Sequence, residues 1–271
     1  MKQGNRWNAI PHQTAVMGIL NITPDSFSDG GKYNSIDKAV EQAVQMEVDG
    51  AHIIDIGGES TRPNHDPVSI DEEIERVVPV IEAVKKHVHI PISIDTYKAK
   101  TAEAAVQAGA SMINDIWGAK KDRAIAQVAA RYDVPIILMH NRDDVVYDHL
   151  IEDVITDLGE SIAIAEEAGV KAEHIIIDPG IGFGKTLPDN YVVLQHLDKI
   201  IKEVGYPLLL GTSRKSFITE LLPIDAQDRD NATGATTVFG MMKGAKIVRV
   251  HDVKRTVELV KMTEAMMNGR V

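Results

Sequence analysis

The chain has 271 residues, of which 44% are apolar and 25% charged, and this composition excludes a disordered or low-complexity chain. Its formal charge of −11 disfavours non-specific nucleic-acid binding, which needs a basic face, so no nucleic-acid partner is predicted. It has no cysteine, which excludes disulfides and cysteine-ligated metals. No apolar run approaches the roughly 20 residues of a membrane span. We therefore expect a cytoplasmic protein without a membrane anchor.

Eight short, nearly continuous apolar runs recur along the chain and predict β-strands. In chain order they occupy residues 16–20, 52–56, 92–94, 111–113, 136–139, 175–177, 208–210 and 247–250. A continuous apolar run is typical of a strand that is buried on both faces, as in a parallel sheet covered by helices. The polar segment 1–13 precedes the first run and is interpreted as an N-terminal extension, followed by one domain of residues 14–271.

The segments between these runs have helical periodicity. Apolar residues at positions 36, 39, 40, 43 and 44 share one helical face, and the sequence Ser69-Ile70-Asp71-Glu72 predicts a capping box at the start of the next helix. Helix ends are indicated by Gly50, Gly109, Gly169, Gly205 and Gly244. Strands that alternate eight times with helices predict an α/β fold, a single-domain (β/α)8 TIM barrel. A doubly wound open sheet is the alternative, although it usually has fewer strands.

Polar residues follow every predicted strand, where a (β/α)8 barrel carries its chemistry. We expect one group of them to form an anion site of cations, amides and hydroxyls. This group comprises Asn21, Thr61, Arg62, Lys215, Arg249 and His251. A second group comprises Asp95, Asn114 and Asp178, which suit the N–H edge of a flat heterocycle, and Ile116, Met139 and Phe183, which can sandwich its ring. For Thr96, Asp115 and Asp252 the expected role is a turn or a helix cap.

Gly184-Lys185-Thr186 is similar to the end of a phosphate-binding P-loop. Only three residues separate Gly180 from Gly184, whereas the motif needs four. We therefore predict that this segment is not a P-loop.

Several segments resemble the signatures of the dihydropteroate synthase family of pterin-binding enzymes. Residues 17–31 read MGILNITPDSFSDGG and residues 55–63 read DIGGESTRP, which are similar to the first two signatures of the family. Segments 95–96, 114–115, 178–183, 213–216 and 249–251 match further motifs in the same order. The resemblance implies the condensation of 6-hydroxymethyl-7,8-dihydropterin diphosphate with 4-aminobenzoate to 7,8-dihydropteroate and pyrophosphate, in folate biosynthesis.

The resemblance also implies a role for each matching residue. The pterin would be held by Asp95, Asn114, Asp178 and Lys215, and the diphosphate by Asn21, Thr61, Arg249 and His251, with Asn21 also a ligand of Mg2+. The 4-aminobenzoate site would be formed by Phe27, Thr61, Arg62, Pro63, Lys215 and Ser216. Sulfonamides are the inhibitors that the family would bind.

Charge predicts the mechanism of this reaction. Diphosphate leaves readily once cations and a metal neutralise it, so we expect a dissociative, SN1-like substitution. The positive charge that is left on the pterin would be stabilised by Asp95 and by Asp29, and the catalytic set is completed by Lys215 and Arg249. No strong base is needed, because an arylamine is neutral and nucleophilic at pH 7.

Two alternatives have the same barrel but another activity. One is a methyltransferase that moves a methyl group from methyltetrahydrofolate to a corrinoid, and the other is a non-catalytic pterin-binding protein.

The resemblance further implies a homodimer packed through late helices. The apolar residues Val257, Val260 and Met267 are interpreted as a stripe that faces the core.

Overall fold

The computed structural model describes residues 14–22, 31–59, 68–225 and 228–269, which contain eight parallel strands. These are β1 (Ala15–Asn21), β2 (Ile53–Gly57), β3 (Ile92–Asp95), β4 (Met112–Asp115), β5 (Ile136–Met139), β6 (Ile175–Asp178), β7 (Leu209–Leu210) and β8 (Ile247–Val250). Their order is β6-β5-β4-β3-β2-β1-β8-β7. A parallel bridge between Ile177 and Leu208 joins the two ends. The closed ring confirms the (β/α)8 barrel and excludes the open sheet.

Helices cover the outside of this ring. They are α1 (Gly31–Val48), α2 (Ile70–Val84), α3 (Ala99–Ala108), α4 (Ala124–Tyr132), α5 (Leu150–Glu167), α6 (Leu187–Gln195), α7 (Leu197–Val204), α8 (Ser216–Leu221), α9 (Asp230–Met242) and α10 (Val253–Asn268). Two helices follow β6 and two follow β7, which the sequence pattern did not predict. None of the helices that the structure describes is long and apolar enough to cross a membrane.

Local signals in the sequence set where several helices begin and end. Ser69 Oγ accepts a hydrogen bond from the backbone N–H of Glu72 at 3.2 Å, which confirms the Ser69 half of the predicted capping box. The Glu72 carboxylate pairs with Arg76. The five glycines that precede strands all have φ between 80° and 124°, the left-handed region that glycine enters without strain.

Side chains inside the barrel form two layers, because alternate residues of a strand face the same side. The lower layer is a separate apolar cluster that consists of Ala15, Met17, Ile53, Met112, Ile137, Ile176, Leu209 and Ile247. Two residues further along the strands, the upper layer consists of Asp55, Asp95, Asn114, Met139, Asp178 and Arg249. The interior of the barrel therefore changes from apolar to charged over two residues of a strand, at the carboxyl ends of the strands.

Candidate active site

Arg249 lies in the upper layer and binds residues from two other strands. Its Nε donates to Asp55 Oδ2 and its Nη2 donates to Asp95 Oδ2, each at 2.6 Å. Asn114 Nδ2 also donates to Asp55 Oδ2, at 3.0 Å. The side chain of Arg249 is 17% exposed, whereas Asp55 is fully buried. The predicted convergence of Asp95, Asn114 and Arg249 at one end of the barrel is therefore found in the structure.

Burial and pairing have opposite effects on the charges of this cluster. Burial raises the pKa of the Asp95 carboxyl, and Arg249 opposes this shift. For Arg249 itself, burial would lower the pKa, but Asp55 and Asp95 raise it above its ordinary value. Arg249 is thus a fixed cation, while Asp95 is a carboxylate whose charge depends on its neighbours.

Asp178 and Lys215 form a second part of the same mouth. Asp178 Oδ1 accepts a hydrogen bond from the backbone N–H of Gly180 at 2.8 Å, and burial raises its pKa against the opposing effect of Lys215. Lys215 Nζ donates to the carbonyl of Ile181 and lies 4.4 Å from the centre of the Phe183 ring. Burial lowers the pKa of Lys215 to about 8. The Lys215 ammonium and the Phe183 ring therefore form a cation–π pair at this end of the barrel.

Ile116 and Met139 also lie at this end of the barrel. Met139 is the last residue of β5 and is buried, and Ile116 directly follows β4, where its carbonyl accepts from Asn141 Nδ2 at 3.2 Å. Their predicted packing against the faces of a ring stays a prediction, as does that of Phe183.

Asn21 and His251 lie at the carboxyl ends of β1 and β8. A Cβ on Gly57 would lie 3.8 Å from Asn21 Oδ1 and 3.7 Å from Asp95 Oδ2, so both oxygens border the same small space above this glycine. Ser213 Oγ accepts from the backbone N–H of His251 at 3.2 Å and lies 2.9 Å from His251 Nδ1, to which its hydroxyl can donate. This arrangement allows Nε2 to carry the proton, as an anion-binding imidazole requires.

The remaining predicted residues differ in how far the structure describes them. Ser216 is the first residue of α8 and is exposed. The other five, Phe27, Asp29, Thr61, Arg62 and Pro63, lie outside the described residues. Their predicted roles therefore stay predictions.

The three residues that were expected to be structural have that role. Asp115 accepts from the backbone N–H groups of Trp117 and Ala119 at 2.8 and 2.6 Å, which closes the turn after β4. Asp252 caps α10 by accepting from the N–H of Arg255 at 3.0 Å. Thr96 Oγ1 accepts from the N–H of Lys98 at 3.2 Å.

Two charged residues that support the site were missed by the sequence analysis. Asp55 holds Arg249 and Asn114, and its signal was a lone carboxylate in the middle of an otherwise apolar strand. Asp230 accepts two 2.7 Å hydrogen bonds from the guanidinium of Arg214, which has φ +57° just before Lys215. No local pattern indicated the second pair, because α9 brings Asp230 from another part of the chain.

Comparison with known proteins agrees with this geometry. A family profile described as "Pterin binding enzyme" matches residues 17–251. A dihydropteroate synthase of Bacillus subtilis is 58% identical over 256 residues, which are 94% of this chain and 90% of the relative.

Two solved structures are similar throughout the fold. A dihydropteroate synthase from Clostridium difficile, solved in the presence of pteroic acid, has a TM-score of 0.92 at 49% identity, with 94% of this chain and 97% of the other covered. A Yersinia pestis dihydropteroate synthase in complex with a sulfonamide drug has a TM-score of 0.87 at 42% identity, with 95% of each chain covered.

The barrel with a charged upper layer and the profile match over most of the chain define a pterin-binding enzyme, and the chain belongs to that family. Within it, identity of more than half to a synthase over nearly the full length places the chain among the dihydropteroate synthases, which are transferases of folate biosynthesis. The resemblance inferred from the motifs is thereby confirmed.

Proposed function

We propose that the upper layer and the rim above it join 6-hydroxymethyl-7,8-dihydropterin diphosphate to 4-aminobenzoate and release pyrophosphate. The observation that carries this assignment is the pairing of Arg249 with Asp55 and Asp95 beside Asn114, in the mouth of a barrel. The carboxylate and amide oxygens, which can accept from the N–H groups of a ligand, therefore lie next to the Arg249 guanidinium, which can bind an anion. Relatives with the same barrel and the synthase's name favour this activity over a methyltransferase or a non-catalytic binder.

The pterin end of the substrate would lie across the barrel mouth. Asp95, Asn114 and Asp178 offer carboxylate and amide oxygens to the N–H groups of the ring edge, and each is at most 6% exposed. Lys215 and Phe183 would bound the ring on the side of β7. A buried carboxylate gains strongly from a charge-assisted hydrogen bond, which favours a ligand with several N–H donors.

The diphosphate would lie towards β1 and β8, at Asn21, Arg249 and His251, with Thr61 from outside the described residues. Asn21 would hold Mg2+ here, because its amide oxygen is a hard ligand of the kind that Mg2+ prefers. Within the part of the chain that the structure describes, no group of three or more His, Cys, Asp or Glu side chains forms a metal site. When bound, Mg2+ neutralises charge on the leaving group.

Departure of the diphosphate would leave a cation on the methylene carbon that is delocalised into the pterin ring. Arg249 holds the leaving anion, and the carboxylate of Asp95, 2.6 Å from the Arg249 guanidinium, faces the developing positive charge. Asp29 would add a second carboxylate. The arylamine nitrogen would then form the new C–N bond at the methylene carbon, and the N–H proton released would pass to the departed diphosphate or to water. Because the diphosphate leaves before this attack, the substitution is SN1-like and needs no strong base.

The 4-aminobenzoate would bind above Lys215 and Ser216, with Phe27, Thr61, Arg62 and Pro63 completing its site. Ser216 begins α8, so its backbone N–H lies at a helix N-terminus. A sulfonamide drug bound to a Yersinia pestis relative supports the same inhibitor class for this chain.

Turnover tests the proposal directly. The purified protein with Mg2+, the pterin diphosphate and 4-aminobenzoate should release pyrophosphate and form 7,8-dihydropteroate, and a sulfonamide should compete with 4-aminobenzoate. Pterin binding without pyrophosphate release would indicate the non-catalytic alternative. Methyl transfer from methyltetrahydrofolate to a corrinoid would indicate the methyltransferase.

We further infer a homodimer through α9 and α10. An apolar groove of about 700 Å3 is lined by residues that include Val238, Phe239, Met242 and Leu259. Phe239 is 40% and Met242 67% exposed, which is unusual for side chains of this size. A second copy of the chain would cover them, so Phe239→Asp should shift the mass measured by light scattering from dimer to monomer.

The interpretation of the late helix was right for two of its three residues. Val257 and Val260 of α10 face the core, as predicted. Met267 was expected there as well but is 54% exposed, in the last turn of α10. A cytoplasmic location also stays a prediction, and fractionation of cells that express the tagged protein would test it.

A further inference from the structure

The loop that follows β6 is held by side chains from two directions. Lys185 Nζ donates to the carbonyls of Gly180 and Phe183, at 3.0 and 3.1 Å. On the other side, Lys215 Nζ donates to the carbonyl of Ile181. The loop follows Asp178, whose Oδ1 accepts from the backbone N–H of Gly180, and it carries Phe183, so it contacts one group assigned to the pterin and positions another.

Gly180 brings this loop against the end of β5. Its φ is +68°, and a Cβ at this position would lie 1.9 Å from the carbonyl oxygen of His140. Only glycine tolerates both the left-handed conformation and this close approach. The backbone of His140 therefore forms one wall of the loop.

The His140 side chain extends the same contact. It is 2% exposed; its Nδ1 lies 2.8 Å from Lys185 Nζ and its Nε2 lies 3.0 Å from Asp157 Oδ2. Asp157 Oδ2 also accepts from Arg142 Nε at 2.6 Å. Although burial opposes it, the bonds from His140 and Arg142 hold the pKa of Asp157 well below its ordinary value. Asp157 is thus a carboxylate, which only accepts hydrogen bonds.

These contacts define the proton positions. Burial lowers the pKa of His140 to about 4, so the imidazole is neutral at pH 7. Since Asp157 can only accept, the proton of His140 lies on Nε2, and Nδ1 is the acceptor for Lys185. An ammonium has three donors, and Lys185 has three acceptors: His140 Nδ1 and the two carbonyls. Burial lowers the pKa of Lys185 to about 7, against the opposing effect of Asp178, and the protonated form is the one that satisfies all three of these partners.

We propose that His140 and Lys185 act together as positioning residues for the pterin, with His140 as the Nε2–H tautomer that orients the Lys185 ammonium onto the loop between Asp178 and Phe183. The inference rests on the proposed function, because it assigns the loop to the pterin. It gives a role to Lys185, the residue whose surroundings are similar to a P-loop. The neighbouring Thr186 instead caps α6.

The position of the loop matters because Asp178 and Phe183 must meet the ring together. A displacement of about 1 Å in a substrate-positioning group can reduce the rate about 100-fold. Without the contact to His140, the Lys185 ammonium keeps only its two carbonyl acceptors, so its position against the loop is less well defined. We expect this to weaken the pterin site and leave the 4-aminobenzoate site as it is.

Two variants of His140 separate its two contacts. In His140→Asn the amide oxygen can take the place of Nδ1 and accept from Lys185, whereas the contact with Asp157 is lost. In His140→Gln the amide nitrogen can take the place of Nε2 and donate to Asp157, whereas the contact with Lys185 is lost. Lys185→Met removes the ammonium itself. Lys171→Met is the control, because Lys171 is 53% exposed and precedes β6 at the opposite end of the barrel.

Steady-state kinetics of the full-length protein should rank these variants. We expect His140→Gln and Lys185→Met to raise KM for the pterin diphosphate by about 10- to 100-fold, with KM for 4-aminobenzoate changed less than about twofold. His140→Asn should stay within about threefold of the wild type, and Lys171→Met should equal it. If KM for the pterin diphosphate rose more in His140→Asn than in His140→Gln, the contact with Asp157 would be the one that positions the loop, and the proposal would fail. If it rose equally in both variants, packing of the imidazole would be responsible, and the proposal would also fail. An unchanged pterin KM in Lys185→Met would also overturn it.

Nitrogen NMR of 15N-histidine-labelled protein gives an independent readout. The spectrum should show His140 with a protonated Nε2 and an unprotonated Nδ1, assigned by the signal that His140→Gln removes. A protonated Nδ1 would contradict the tautomer whatever the activity of the variants. If the wild-type protein showed no turnover, the proposed function would fail, and the NMR result would still decide the contact between His140 and Lys185.

Discussion

The lower and upper layers of the barrel interior come from the same strands but have different chemistry. In β8, Ile247 belongs to the lower layer and packs among apolar side chains, whereas Arg249, two residues later, pairs with two carboxylates. The lower layer stabilises the fold through the apolar surface that it buries. The upper layer buries charged side chains, and the cost of removing them from water makes this layer less stabilising. Its charged groups can gain further partners when a ligand binds. A residue that stabilises the fold and a residue that serves the site are therefore only two positions apart on the same strand.

The largest effect is expected when the upper layer loses its cation. Arg249→Met should reduce turnover by about 100- to 1,000-fold, because the leaving diphosphate loses a charged contact. It should also lower the free energy of unfolding by about 3–5 kcal/mol, since Asp55 and Asp95 are left without their partner. Ile247→Val on the same strand is the control, with a loss of about 1 kcal/mol and unchanged kinetics. Full activity of Arg249→Met would contradict the assignment of this layer to catalysis.

Two substitutions on β4 compare a residue of the lower layer, Met112, with a residue of the upper layer, Asn114. Met112→Ala should lower the free energy of unfolding by about 2–5 kcal/mol through the cavity it leaves, with KM for the pterin diphosphate unchanged at a temperature where the variant is folded. Asn114→Ala should raise that KM with a smaller loss of stability. Chemical denaturation and initial rates measure both. A pterin KM that responded equally to the two changes would show that the layers are not separate in function.

The pH dependence of stability distinguishes the layers by charge. Burial raises the pKa of Asp95, so above about pH 4 the folded protein holds a proton that the unfolded chain has lost. The contribution of Asp95 to the free energy of unfolding should therefore fall as the pH rises through this window. Denaturation from pH 4 to pH 7 should show a smaller fall for Asp95→Asn than for the wild type. Identical slopes would mean that the pKa of Asp95 is the same in both states.

The smallest effect is expected at a polar residue on the rim that belongs to neither layer. Asp252 caps α10, so Asp252→Ala should lower the free energy of unfolding by about 1 kcal/mol. Both KM values should stay within about twofold of the wild type. A selective rise in KM for the pterin diphosphate would instead place Asp252 in the site.

The sequence predicted the parts of this molecule that depend on neighbours along the chain. Strands such as β5 were bounded correctly because residues buried on both faces form a continuous apolar run. The rim at Asp95, Asn114, Asp178 and Arg249 followed from the rule that chemistry lies at the carboxyl ends of barrel strands.

What the sequence could not predict depends on contacts between distant parts of the chain. The pairing of Asp55 with Arg249 joins residues 194 positions apart and requires both side chains to face the barrel axis. The motif spacing predicts only that the segment around Lys185 is not a P-loop. Nothing in the nearby sequence indicates that His140 accepts a hydrogen bond from the Lys185 ammonium. The split of the helical segments after β6 and β7 also follows from packing and has no separate periodic signal.

A crystal structure of this protein with 7,8-dihydropteroate tests the central claim most directly. We predict that the ring edge of the pterin contacts Asp95, Asn114 and Asp178 in the upper layer, with Lys215 on its flank and the benzoate directed towards Ser216. A ligand bound away from the mouth of the barrel, with Arg249 still paired to Asp55 and Asp95 and nothing above it, would contradict the account.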